Sequence, residues 1–254
     1  MTRMIETARG DFTLQAEAYA KARPGYPLEL IARLVDLAGV APGDPVADVG
    51  AGTGLFTSAL AGHGLVVTAI EPNQAMRDKA PADGVTWRDG TFEETGLPAA
   101  SQRWVVAAQA FHWADPPRAL PEMHRILAPG GSFTVLWNNR DVDGSPLLAW
   151  TRDAIHRRVP DFDEGYRRRD WPAVLTSTGH FAPPVESTVR HVVRMDRERF
   201  LDLWRSHHLL NHAAGPATMA ELLQEIAAHL AGADAILDVP YLCRAWTSRR
   251  LGGP

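Results

Sequence analysis

One cysteine, Cys243, occurs in 254 residues, so the chain forms no internal disulfide and no cysteine-built zinc site. That accords with a reducing, cytoplasmic setting. Long apolar runs are also missing. The opening MTRMIETARGDFTLQ is interrupted by charge, and no later segment approaches the roughly 18 uninterrupted apolar residues of a membrane span. The reading expects a soluble, unexported chain with no membrane partner. A basic excess is lacking too: the formal net charge is −4, which argues against a nucleic-acid partner, since such domains present a surplus of Lys and Arg. Lysine stands only at Lys21 and Lys79, and the run Arg167, Arg168, Arg169 reads as a solvated face rather than a phosphate site. Hydrophobic residues make up 45% of the chain, ordinary for a protein that buries a real core.

What is present is a rhythm of short apolar runs and helical spacings. After a helix over about 27–38, strands are expected at VADV (46–49), VVTAIE (66–71), GVTWR (84–88), RWVVAAQ (103–109) and SFTVLWN (132–138), with helical segments between them. Such alternation specifies a mostly parallel sheet covered on both faces. LAPGG at 127–131 ends one helix and leads into a strand. Beyond residue 140 the rhythm changes: a helix at 145–158, an Arg- and Trp-rich segment, the alternating VESTVRHVVRMD (185–196), helices at 196–211 and 216–231, and a last strand in LDVPYLCRAWTSR (237–249). The fold expected is α/β, one domain over 1–254 with a seven-stranded, mostly parallel sheet. Its last strand is expected antiparallel, and a helical cap, 197–232, is inserted between the late strands.

Residues 46–54 read VADVGAGTG, and the three glycines Gly50, Gly52 and Gly54 leave almost no side-chain bulk directly after the first strand. In an open parallel sheet that turn is where nucleotide-like ligands sit. Tight helix-on-strand packing accounts for one glycine but poorly for three, so close approach of a ligand is expected. A dinucleotide fingerprint needs its third glycine five residues after the first, where this chain has Leu55. Glu71, ending the second strand, can accept hydrogen bonds from both ribose hydroxyls, or can serve as a helix N-terminal charge ahead of Pro72.

DVGAGTG, followed by AIEPNQAM, GTFEETGLP, QAFHWAD and HRILAPGG, resembles the class I S-adenosylmethionine-dependent methyltransferases. FTLQAEAYAKARPGYP, WRSHHLL and VPYLCRAW are similar to the bacterial small-molecule group that includes trans-aconitate methyltransferases. The resemblance implies a Rossmann-like fold, S-adenosyl-L-methionine as cofactor and a small-molecule methyl acceptor. It implies that Asp48 supports the glycine loop, that Gly50, Ala51 and Gly52 line the methionine part, that Glu71 holds the ribose, and that Pro72 and Met76 border the adenine. Thr91 and Phe92 would meet the adenine edge, Thr91 standing where relatives commonly have an acidic residue. Gln109 would lie near the methionine tail. Tyr19 and Arg23, in the N-terminal segment 1–40 that covers the cofactor, would meet its carboxylate, for which a guanidinium is suited.

A base is needed only when the acceptor keeps its proton until late in the transfer. His112 is the candidate, two residues past the fourth strand, and a packing or capping role stands beside that reading. Phe111 and Trp113 are expected to wall the acceptor site, and Asn138 and Asn139 to supply polar contacts. Trp204, Arg205, His207 and His208, on the cap, are expected to contact the substrate. His208 and His212 are one helical turn apart, but no carboxylate in that helix completes a metal site, so no metal is expected. Asp161, Asp163 and Glu164 read as a solvated loop lacking the ligand spacing of a calcium site. Two rivals stay open: nicotinamide-dependent oxidoreduction, which Leu55 disfavours, and a cofactor-binding protein that acts as a regulator or scaffold.

Overall fold

In a computed structural model, residues 22–80, 84–163 and 165–252 are described. Tyr19 and Glu164 lie outside them. Helix α1 (Leu28–Ala38) places Leu30, Ile31, Leu34 and Ala38 on one buried stripe, the three-and-four spacing of an amphipathic helix. It stops where Gly39 takes φ +67°, its N–H donating to the carbonyls of Val35 and Asp36. The Arg249 guanidinium then donates to the Leu37, Ala38 and Gly130 carbonyls, satisfying acceptors that a helix end leaves open.

The chain continues through β1 (Pro45–Val49), α2 (Leu55–Gly62), β2 (Val66–Ile70), α3 (Gln74–Arg77), β3 (Thr86–Arg88), β4 (Gln102–Ala108), a 3-10 turn (Phe111–Trp113), α4 (Pro116–Ile126) and β5 (Leu127–Arg140). It then forms α5 (Pro146–Arg158), α6 (Trp171–Thr176), β6 (Val185–Asp196), α7 (Arg197–Arg205), α8 (His208–Leu230) and β7 (Ile236–Arg249). The strands make one mixed, mostly parallel, seven-stranded sheet in the order β3-β2-β1-β4-β5-β7-β6, as the sequence rhythm predicts. β1 pairs in parallel with β2 on one side and β4 on the other, so the order reverses at β1, and the carboxyl ends of β1 and β4 form the switch point. LAPGG loops out of the β4–β5 pairing: Gln102 faces Leu127 and Trp104 faces Ser132, two residues of one strand against five of the other.

The residues group into two compact units. Among the described residues, the first comprises those within 25–138, 169–189 and 243–252; the second comprises those within 22–24, 139–168 and 190–242. In the first, Leu34, Val46, Phe56, Leu60, Val67, Trp104, Val106 and Leu136 share one core with Cys243. Each such aliphatic side chain contributes about 1.5–3 kcal/mol by leaving water. Burial pushes the Cys243 thiol up to about 12, so it behaves as a small hydrophobe.

The second unit departs from the expected helix 196–211: the chain breaks after Arg205, where the backbone of His207 turns extended and its ring nitrogen caps α8. Gly215, at φ +73°, is non-helical and interrupts α8 directly before Pro216, where the second helix, 216–231, is expected to begin. Proline lacks the N–H that would bond one turn back, and glycine tolerates the left-handed backbone beside it. No helix among the described residues is long and apolar enough to cross a membrane.

Candidate cofactor site at the glycine loop

The glycines after β1 divide their tasks. The N–H groups of Gly50 and Ala51 both donate to the Ile70 carbonyl at the end of β2, at 2.8 and 3.0 Å. A Cβ on Gly50 would lie 2.6 Å from the Ala110 Cβ and 2.9 Å from Phe92 Cζ. Gly50 is therefore required by packing of the protein on itself, where the resemblance assigned it to the methionine part. A Cβ on Gly52, at φ +58°, would meet nothing within 4 Å. Gly54, at φ +79°, starts α2. Gly52 thus leaves open space where Gly50 does not, and its N–H donates to Glu71 Oε2 at 2.9 Å.

Glu71 follows β2 and is buried. Its second oxygen accepts the Asn73 N–H at 2.9 Å, and Arg77 donates to its backbone carbonyl. Burial raises its pKa from the ordinary carboxylate value against the lowering effect of these two N–H groups. Asp48, fully buried one residue before the end of β1, accepts the Thr57 hydroxyl at 2.6 Å through Oδ2, while Oδ1 has no hydrogen-bond partner. Burial pushes its pKa up to about 7, opposed by the Thr57 bond and reinforced by the charge of Glu71. The Asp48–Thr57 bond ties the strand before the loop to the helix after it. Asn73 and Thr57 are working residues the sequence reading missed. An Asn before the helical QAMR is an N-cap signal, and Asn73 Oδ1 does accept the Met76 N–H; Thr57 carried no comparable signal.

Met76 is buried and Pro72 exposed. Thr91 is exposed, and its hydroxyl accepts the N–H groups of Glu93 and Glu94, closing a local turn. Phe92 is buried beneath Gly50, edge-on to Phe111 at 5.4 Å. Phe111 has no exposed surface and packs on Phe133 and Trp171 as well. Phe111, expected to wall an acceptor site, is fully buried here and supports Phe92. Trp113 is half-buried beside His112, their rings 4.7 Å apart.

Gln109, just past β4, holds φ +59°, a left-handed backbone costing about 1–2 kcal/mol for a residue with a Cβ. Its N–H donates to the Leu136 carbonyl and its side-chain amide to the Asn138 carbonyl, at 2.8 and 3.0 Å. The Asn138 amide donates to the Gly25 carbonyl at 3.2 Å. His112 is buried, and the Trp137 indole N–H donates to its Nδ1 at 3.4 Å. With that donor on Nδ1, the neutral ring is assigned its proton on Nε2.

The remaining candidates lie in the second unit, where Arg205, Trp204 and His207 contact neighbours of that unit. The carbonyls of Ala22 and Arg23 accept from the Arg199 guanidinium. Arg205 is ion-paired with Glu198 and, at 2.7 Å, with Asp202, which raises its pKa. Trp204 is buried beneath the Arg140 guanidinium, 4.2 Å from the ring centre, and stacks parallel to His207 at 6.1 Å. His207 Nδ1 accepts the Leu210 N–H as the cap of α8. His208 is half-buried, His212 exposed and Asn139 half-buried.

Residues 47–135 match the family model described as a methyltransferase domain. They run from β1 into β5 and include every strand end and turn just described around Gly52 and Glu71. Over residues 47–135 the chain is thus similar to methyltransferase domains. An uncharacterized methyltransferase of Mycobacterium tuberculosis is 41% identical over 138 residues, 54% of this chain and 54% of that relative. The chain thus spans about half the length of the curated relatives it matches. The structure of a proposed type II methyltransferase from Anaeromyxobacter dehalogenans aligns with a TM-score of 0.67 and 26% identity, over 91% of this chain and 99% of that one. A structure from Anabaena variabilis, described as a methyltransferase of an antibiotic biosynthesis pathway, gives 0.61 at 19% identity over 89% and 98%, and shows the fold alone. Within the matched residues, Gly52 and Glu71 lie at the switch point of the sheet order.

Proposed function

We propose that the chain transfers a methyl group from S-adenosyl-L-methionine to the oxygen, nitrogen or carbon of a small-molecule acceptor. The observation that carries this reading is the buried Glu71 carboxylate, held by the Gly52 and Asn73 N–H groups beside the open space at Gly52. Two N–H donors fix both oxygens while leaving each a lone pair for a ribose hydroxyl. The cofactor supplies a methyl group already activated on a positively charged sulfur.

The protein's part is then orientation and exclusion of water. Glu71 binds the diol, the loop from Gly50 to Gly54 brings backbone rather than side chains to the ligand, and the Asp48–Thr57 bond holds that loop in shape. Buried Met76 supports an apolar wall for the adenine. His112, buried just past β4, is the group we assign to the acceptor, to orient it or to take its proton. Removal of a proton by His112 is not required where the acceptor is already ionised. Leu55 in place of a third dinucleotide glycine speaks against a nicotinamide ligand.

The test is calorimetric titration with S-adenosylhomocysteine and, in parallel, NAD. Micromolar binding of the first alone is expected. Glu71→Ala should weaken it by about 1–3 kcal/mol, the scale of a lost charged hydrogen bond. Binding of NAD alone, or full affinity in a folded Glu71→Ala protein, would refute the assignment. Turnover with a panel of phenols, amines and carboxylates separates an enzyme from a binding protein.

A further inference from the structure

Residues just before α1 are fixed on two sides. On one, the Gly25 carbonyl accepts the Asn138 side-chain amide at 3.2 Å, near the carboxyl end of β5. On the other, the Tyr26 ring meets Phe56 edge-on at 4.8 Å, in the first turn of the helix that follows the glycine loop. β5 neighbours β4, and β4 neighbours β1. A segment fastened to the end of β5 and to the helix after β1 therefore strides over the edge where Gln109 and the glycine loop lie. Asn138 is also the residue whose backbone carbonyl accepts the Gln109 side chain, and Gln109 is held in a left-handed backbone. A non-glycine residue in that region persists only where its surroundings demand it, which points toward a functional constraint.

We propose that Asn138 is a positioning residue: it latches the strap Gly25–Tyr26–Pro27 across the carboxyl ends of β1, β4 and β5, and through Gln109 couples strap closure to ligand held at the glycine loop. The sequence alone suggests an acceptor contact for Asn138. Its amide instead donates to the strap, and its buried position suits a fixed hinge pin better than a group that must meet varied ligands. The link to the ligand rests on the cofactor reading above; the latch itself does not.

The experiment compares wild type with Asn138→Ala by amide hydrogen exchange, first without ligand. Exchange across Gly25–Leu34 should rise about tenfold in the variant, with other segments unchanged, because one buried donor is lost. Unchanged exchange there overturns the latch. If Asn138→Ala does not fold, Asn138→Asp, of the same shape but without an N–H, is read in the same way. The second arm is affinity for S-adenosylhomocysteine, which should fall about tenfold while the melting temperature stays near wild type. A loosened strap with undiminished affinity overturns the coupling. Glu71→Gln should weaken binding without changing exchange in the strap, so the two effects separate. Should the wild-type protein bind no S-adenosylhomocysteine, the cofactor reading and the coupling fall together, while the exchange arm still decides the latch.

Discussion

The two units treat their charged side chains in opposite ways. In the unit built on residues 25–138, Asp48 and Glu71 are carboxylates drawn out of water and held by a hydroxyl or by backbone N–H groups, at raised pKa. In the unit holding 139–168 and 190–242, Arg205 with Glu198 and Asp202, and Arg157 and Arg158 with Glu225, are ion pairs on helix surfaces. Burying a carboxylate opposes folding, offset at Glu71 only in part by the charge of Arg77, and perturbed groups of this kind gather at functional sites. Exposed pairs gain little, because solvent screens them. The comparison teaches that carboxylates with raised pKa gather at the strand ends of the first unit, while Arg205 and His207 of the second hold their own helices.

Asp48 gives the sharpest contrast. Its folded pKa of about 7 lies above the ordinary 3.8, so between those values the folded protein binds more protons than the unfolded one. Its contribution is therefore fully present below pH 4 and is lost as pH rises toward 7, by up to about 4 kcal/mol; Glu71, shifted in the same direction, adds to the slope. Asp48→Asn keeps an acceptor for Thr57 and removes the ionisation. Urea unfolding should show the variant gaining on wild type as pH rises from about 5 to 8. Parallel pH profiles would mean that Asp48 is not confined as described, and would erase the contrast.

Gly50 and Gly52 test the same edge from within one loop. Gly50→Ala places a methyl group into Ala110 and Phe92 on a left-handed backbone, so a stability loss of about 3 kcal/mol is expected. Gly52→Ala carries only the backbone strain, about 1 kcal/mol, but puts its methyl group into the space assigned to the ligand, so it should lose most affinity for S-adenosylhomocysteine. Thermal unfolding and titration of both variants should show one failing chiefly in stability and the other in binding. The same failure in both would mean that the loop does not divide its tasks.

Much of the first unit was legible because its signals are local. VADVGAGTG contains strand, turn and helix start within nine residues, and the sheet order follows from alternating strands and helices. LAPGG marked the passage from α4 to β5, although only the pairing of Gln102 and Trp104 shows it as a bulge. The site was legible in residue types but not in roles. That Gly50 serves packing depends on Phe92 and Ala110, more than 40 residues away in sequence. That Phe111 is enclosed depends on Phe133 and Trp171, brought in from a strand and a helix still further along the chain. In the second unit the break after Arg205 was hidden because Ser206 and His207 interrupt no apolar pattern. The cap that ends the run is a histidine, not one of the residues that usually signal a helix start.

Arg205 yields the smallest expected effect and tests the other side of the comparison. Its guanidinium reaches Glu198 and Asp202 from the same helix, and all three are partly exposed. Arg205→Ala should change unfolding free energy by no more than about 0.5 kcal/mol, and added salt should shrink that difference further. Affinity for S-adenosylhomocysteine should be unchanged. Urea unfolding at low and high salt, with the same titration, measures both quantities. A loss several times larger that persists in salt would show an Arg205 pair sheltered from solvent, and a loss of ligand affinity would place α7 in the machinery now assigned to the strand ends. If both quantities stay level, Arg205 serves its own helix, and the search for acceptor-binding residues turns to the neighbourhood of His112 and Trp113.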